Sequence, residues 1–191
     1  MRVLQITPGT GNFHCGSCLR DNALVAALRR MGHDVIMTPL YLPFVTDEVD
    51  SHHAQPLFFS GISVYLEQKS ALFRHAPQWV HSLISRPALL RKAAAMSGMT
   101  SAEDLGELTV SMLRGEEGKQ SRELDRLIAW MSSQPQFDVV CLSNVLLVGL
   151  ARRLARELHL PVVCTLQGED SFLDSLPPAQ RQMAWATLAA R

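Results

Sequence analysis

The first forty residues carry the strongest constraint on what this chain can become. Residues 2–7, RVLQIT, are a short apolar run that stops at Pro8-Gly9, the pattern of a buried strand. From Gly16 to Met31, apolar Leu19, Ala23, Ala26, Ala27 and Met31 recur at helical spacing, and Arg29 and Arg30 suit the negative end of the helix dipole. Gly32 supplies a left-handed helix stop. Residues 34–38, DVIMT, form a second strand closed by Pro39. Strand, helix and strand in so short a span make a βαβ unit, so the two strands are parallel and the crossover is right-handed.

The same alternation returns late in the chain. FDVVCLS (137–143) reads as a strand, VLLVGLARRLAREL (145–158) as a helix and LPVVCTL (160–166) as a strand, and Pro177-Pro178 opens a last helix running toward Arg191. Two such halves predict an α/β fold with a doubly wound parallel sheet. The middle breaks the rhythm. PLFFSGISVYL (56–66) offers a strand and a turn at Gly61, and Glu67–His75, Pro77–Ser85, Pro87–Met96 and a long run near Ala102–Ser132 follow with helical patterns. Thr100 with Glu103 is a capping-box signature for the long run, and Gly115 and Gly118 interrupt it. A helical insertion or lid over roughly 67–135, packed beside the sheet, is expected.

Composition narrows the partners. Eighteen basic and eighteen acidic side chains among 191 residues cancel, so no global field draws the chain to nucleic acid or an anionic membrane. The N-terminal apolar run is too short for a signal peptide, and no segment reaches the roughly 18 apolar residues of a membrane span. Four cysteines with a single close pair are not a secreted disulfide framework. A reducing, cytoplasmic setting is the expectation.

Two chemistries compete in PGTGNFHCGSC (8–18). In an open parallel sheet, ligands bind beyond the carboxyl ends of the strands, which is where this stretch falls. Gly9, Gly11 and Gly16 permit close backbone approach, and the helix beyond Gly16 offers free N–H groups to an anion. The spacing is G-x-G-x4-G, and no acidic residue ends the second strand, so it is not the dinucleotide fingerprint. It lacks the lysine of a P-loop. A turn needed only to enter the helix is the plainer alternative.

Cys15 and Cys18 form a C-x-x-C at the same helix start, where a thiol pKa is lowered. A redox site would suit a compact chain without the late βαβα half. Zinc would have to recruit Cys141 and Cys164, which stand in strands where a small buried hydrophobe is the simpler reading. The glycine loop is therefore the main reading, with no metal and no cofactor expected.

With loop and strand order in hand, the chain resembles the N-terminal domain of family-4 glycosyltransferases of the GT-B fold. MRVLQITPG resembles the family's opening strand and turn, and CGSCLRDNALVAALRRMGHDV its glycine loop, helix and GH-x-V start of the second strand. FDVVCLSNVLLVGLARRLARELHLPVVCTLQGED resembles the paired strands that end in an HG-x-D-like turn. GISVYLEQKSALFR and LTVSMLRGEEGKQ resemble an insertion found in one subset. The resemblance implies a Rossmann-like domain over 1–191 that holds mainly the acceptor. It also implies a second domain, absent from this chain, that binds the nucleotide-sugar. Residue 191 falls within an expected helix, so an excised half, inactive alone, is expected.

The chain departs from the family at named positions. The paired glycines become Cys15-Gly16, the frequent histidine after the fourth-type strand becomes Ser143, followed by Asn144, and the histidine of HG-x-D becomes Gln167. An amide can hydrogen-bond but cannot titrate. In a retaining front-face transfer, orienting the acceptor and stabilising the leaving diphosphate are the main tasks, so a hydrogen bonder can suffice. The resemblance thus assigns Gln167 and Asp170 to the reacting edge. Gly11, Asn12, His14, Cys15, Gly16, Ser143, Asn144, Gly168 and Glu169 are assigned to substrate contact.

Each assignment has a plainer counterpart. Asp170 could cap a helix, and Ser143 or Asn144 could cap the one starting near Val145. His14 could face solvent, His33 follows a helix stop, and His52 and His53 lack ligand spacing. Glu116, Glu117 and Lys119 read as a solvated charge run. RHAPQWVHSLISRPALLRKAAAM (74–96) could lie on a membrane surface, as a lipid-linked acceptor would require, or form two short helices on the core. The expected function is retaining transfer of a sugar from a nucleotide-sugar donor to a sugar or lipid-linked acceptor. The alternatives are a glycan- or phosphate-binding module without chemistry, a sugar-nucleotide epimerase of the same fold, and a thiol oxidoreductase.

Overall fold

Four strands form one all-parallel sheet in a computed structural model that describes residues 1–9, 16–41, 58–59 and 102–191, backbone alone at 102–104. In chain order the elements are β1 (Arg2–Thr7), α1 (Gly16–Arg30), β2 (Asp34–Pro39), α2 (Ala102–Leu113), a 3-10 turn (Gly115–Glu117) and α3 (Ser121–Ser133). There follow β3 (Val139–Leu142), a 3-10 segment (Val145–Leu150), α4 (Ala151–Leu158), β4 (Val162–Cys164), α5 (Glu169–Ser175) and α6 (Pro178–Ala189). The strand order is β2-β1-β3-β4, with Leu4 beside Ile36 on one side and Val140 on the other. The order runs outward in one direction after β1 and in the other after β3. The topological switch therefore lies between β1 and β3, where a doubly wound sheet opens a crevice at its carboxyl edge.

Alternation along the strands separates two cores. Val3, Val35 and Met37 face α1 and pack with Cys18 and Val25. Leu4, Ile6, Ile36, Val140 and Leu142 face the other way, against Leu124, Leu127, Ile128 and Met131 of α3 and Leu154 of α4. Each fully buried Leu or Ile there contributes about 2 kcal/mol. Helices thus lie on both faces of the sheet, an arrangement compatible with a Rossmann-like fold. The second half of the expected insertion, α3, is a layer of the main core. α5 and α6 pack outside it, with Leu173, Leu176 and Ala184 against Val110 and Leu113 of α2.

Four of the expected strands lie on their apolar runs, although β4 has three residues where seven were expected; the strand and Gly61 turn expected over 56–66 fall outside the described residues except for Phe58 and Phe59. The helix expected over 145–158 begins as six residues of 3-10 before turning α at Ala151. The long run breaks at Gly115 and Gly118 as expected, and the last helix starts at Pro178 and ends at Ala189.

One expectation is corrected: the packed face of α1 is Cys18, Asp21, Asn22 and Val25, while Ala23 is exposed and Met31 is 72% exposed. Asp21 and Asn22 join Cys18 and Val25 on the face toward the sheet, in place of the alanine stripe. The patterns at 67–96, the Thr100–Glu103 capping box and His52-His53 lie outside the described residues and side chains.

Backbones touch where α2 ends. Gly115, at φ 54°, faces the Gly149 carbonyl of the 3-10 segment, Gly149 faces the Met112 carbonyl, and Gly118 faces the Ser111 carbonyl. Any Cβ at these three positions would come closer than 3.0 Å to backbone. This contact fixes the segment that immediately follows β3.

Glu123 in the first turn of α3 is 1% exposed and takes both carboxylate hydrogen bonds from one Arg126 nitrogen at 2.9 Å. Burial pushes its pKa from 4.5 up to about 7, against the opposing pull of Arg126. Between those values the folded chain keeps a proton that the unfolded chain gives up. Stability therefore falls as pH rises through that window, by about 3 kcal/mol at most. Urea midpoints taken from pH 4.5 to 8 are expected to show this decline, and Glu123→Gln to flatten it. An unchanged slope in the variant would assign the dependence elsewhere.

Candidate functional site at the carboxyl edge of the sheet

The edge begins with the turn after β1. Gly9 has φ 88°, a conformation glycine adopts without strain, and Tyr41 N–H donates to the Pro8 carbonyl at 2.8 Å. Thr7, the last residue of β1, donates its hydroxyl to Cys18 Sγ at 3.4 Å and so ties the strand end to the first turn of α1. Gly16 opens α1 with no atom within 4 Å of where a Cβ would stand. The positive end of the α1 dipole lies at this point, where an anion is favoured.

A polar cluster lies between α1 and the ends of β3 and β4. Asp21 is fully buried under the helix, and its Oδ1 accepts from Arg20 Nη2 at 2.6 Å and Nε at 3.2 Å. The same Nη2 reaches the Ser143 carbonyl at 3.2 Å and Thr165 Oγ1 at 3.0 Å. Thr165 donates its hydroxyl to the Ser143 carbonyl at 2.5 Å, and Gln167 Nε2 donates to that carbonyl as well. One peptide oxygen after β3 thus collects donors from α1, from β4's end and from the loop beyond. Neighbouring residues on a helix do not face each other, so Arg20 must fold back across the sheet to meet Asp21.

Buried polar atoms are nearly always paired, so exceptions are informative. Among the described residues, the unpartnered ones are Asp21 Oδ2, Ser143 Oγ, Asn144 Oδ1 and Thr38 Oγ1, together with Arg2 Nε. The first three stand at the switch point or directly above it. Thr38 alternates with Met37 and so faces the opposite side of the sheet, and Arg2 lies at the other end of its strand.

Of the residues singled out in the sequence, the structure joins Gln167 to Ser143, with Asn144 next in the chain, and places Gly16 at the start of α1. Asn144 starts the 3-10 segment without a side-chain cap. Gln167 is anchored to Ser143 through its amide, while its N–H donates to Glu169 Oε2 at 2.8 Å. Gly168 sits at φ 82° as the residue before α5, and Glu169 and Asp170 form that helix's first turn, Asp170 exposed. Asp170 is thus the second helical residue and does not cap. Gly11, Asn12, His14 and Cys15 lie outside the described residues.

Among the described residues, the thiols of Cys18, Cys141 and Cys164 are not poised for chemistry. Cys18 is buried. Burial first, and then the Asp21 charge, push the Cys141 thiol up; burial and Glu169 push Cys164 up to about 11. Cys141 packs on the α1 face and Cys164 on the other, so they do not converge on a metal with Cys18. Among the described residues, no group of three or more His, Cys, Asp or Glu side chains could hold a metal ion, and no helix is long and apolar enough to cross a membrane.

Arg20, Asp21 and Thr165 were not singled out from the sequence. The signal available was R-D-N in the first half of the helix, ahead of the apolar run Ala23–Leu28, on the side that a βαβ crossover must lay against its sheet. Glu116 and Glu117 are held by Arg152 at 2.7 and 3.0 Å and Lys119 pairs with Glu107 at 3.7 Å, away from the edge. Comparison with protein-family models, curated proteins and solved structures gave no match to this chain.

Proposed function

We propose that the chain is the acceptor-side, Rossmann-like half of a retaining glycosyltransferase of the GT-B kind, acting in the cytoplasm with a nucleotide-sugar donor. The observation that carries the reading is that the start of α1 stands at the carboxyl edge of the sheet, which also carries buried, unpartnered polar side chains at β3's end. The first suits a phosphate and the second a hydroxylated ring, the two parts of a sugar-transfer substrate. Gln167 acts here by holding the Ser143 carbonyl, as a positioning residue. A lipid-linked acceptor is compatible with the reading, through the apolar and basic segment 74–96.

A non-catalytic glycan- or phosphate-binding module is the second reading. It is favoured by one observation: the amide of Gln167 is already committed to Ser143 and Asp170 is exposed.

The test is turnover of the full-length gene product over a panel of nucleotide-sugars, scored by release of nucleoside diphosphate. Gly16→Val is expected to abolish turnover with little change in folding stability, because the new side chain meets open space. Wild-type turnover in that variant would remove the glycine turn from the site. Saturable sugar binding with no turnover on any donor would leave the binding module.

A further inference from the structure

We infer that Asp21 and Ser143 form a subsite for a neutral, hydroxyl-bearing ligand, a sugar ring or polyol, recognised through the hydrogens of its hydroxyl groups. The inference deepens the transferase reading and rests on it for the location of the site. Asp21 and Ser143 are both fully buried, and each keeps one oxygen without a partner; Asn144, 8% exposed, adds an unpartnered Oδ1. A carboxylate oxygen and an amide oxygen only accept hydrogen bonds, whereas the serine hydroxyl can accept and donate. An occupant must therefore bring donors.

Phosphate brings negative charge and mostly acceptor oxygens, so it is repelled by the Asp21 carboxylate and is favoured at the positive end of the α1 dipole instead. An ammonium group is not required, because Arg20 already balances the Asp21 charge at 2.6 Å. Neutral hydroxyls satisfy both conditions. One can donate to Asp21 Oδ2 while its neighbour exchanges a hydrogen bond with Ser143 Oγ. Arg20 is the exposed member of the cluster, with 40% of its side chain in solvent, and it stays on Asp21 Oδ1 while Oδ2 meets the ligand. The two chemistries are then separate: an anion at Gly16, hydroxyls at Asp21 and Ser143.

The experiment is a backbone-amide NMR titration of the whole chain with methyl α-D-glucopyranoside, methyl α-D-mannopyranoside, methyl β-D-galactopyranoside and inorganic phosphate, each alone. At least one glycoside is expected to shift the amides of Asp21, Asn22, Ser143 and Asn144 saturably, and phosphate to shift Gly16 and Ser17 instead. Asp21→Asn and Ser143→Ala are each expected to weaken the glycoside about tenfold, the scale of one lost buried hydrogen bond, with phosphate affinity unchanged. Should Asp21→Asn not fold, Ser143→Ala decides.

No shift with any of the three glycosides, phosphate shifts at Asp21 and Ser143, or wild-type glycoside affinity in the variants overturns the inference. The titration contains no nucleotide-sugar. Glycoside binding by a protein that transfers nothing therefore sinks the transferase reading alone, and turnover indifferent to both substitutions sinks the subsite alone.

Discussion

Gly149→Ala is expected to cost more than about 4 kcal/mol, a large part of the 5–15 kcal/mol that holds a typical domain folded. The methyl would press on the Met112 carbonyl and on the Gly115 nitrogen, and both neighbours are backbone, so no rotamer change relieves it. Gly115→Ala should be as severe, since it adds a left-handed φ of 54° to a clash with the Gly149 carbonyl. Gly32→Ala is the control: its φ is 87°, but nothing lies within 4 Å, so only backbone strain of about 1 kcal/mol applies. Urea denaturation separates the cases. If Gly149→Ala and Gly32→Ala lose the same stability, the backbone contact between α2 and the 3-10 segment is not as close as described.

Arg20→Ala is expected to cost about 3 kcal/mol, because it strands a buried carboxylate. Asp21 would lose its hydrogen-bonded partner, and the Ser143 carbonyl one of its three donors. Arg20→Lys keeps the charge yet offers a single ammonium where a planar fork now meets Asp21, Ser143 and Thr165, so it should retain only part of the stability. The decisive comparison is the double variant Arg20→Ala, Asp21→Asn. Removing both charges should restore much of what the first substitution loses, giving a coupling of about 1–3 kcal/mol. Strictly additive losses would mean that the two side chains do not act as a pair.

Both predictions arise at places that sequence patterns disclose unevenly. β1, β2 and β3 were legible because strands buried on both faces of a parallel sheet are near-continuous apolar runs. The breaks at Gly115 and Gly118 were legible as breaks. That Gly115, Gly118 and Gly149 each fill a backbone contact was not, since nothing local records which carbonyl will lie opposite. α1 misled for a physical reason: helical periodicity picks out apolar side chains, and this helix turns Asp21 and Asn22 toward the sheet. The site divides likewise. Ser143, Asn144 and Gln167 were legible as edge positions because chain order alone puts them just after strands. Arg20 and Thr165 required knowing that one carbonyl is shared across 123 residues of sequence.

The central position of β1 also sets an order of events. Its partner β2 emerges soon after it, but its other partner, β3, lies 136 residues away by the Arg2–Asp138 hydrogen bond. At a synthesis rate of about 5–20 residues per second, that edge of β1 waits on the order of ten seconds on the ribosome before its partner exists. Closing so long a loop is also slow, because its entropy cost precedes any contact that repays it. The nascent chain is thus an unfinished two-stranded unit with an open apolar edge, the kind of intermediate that chaperones hold. Refolding from denaturant should be slow for the same reason, with the β1–β3 junction, and the crevice above it, the last to assemble.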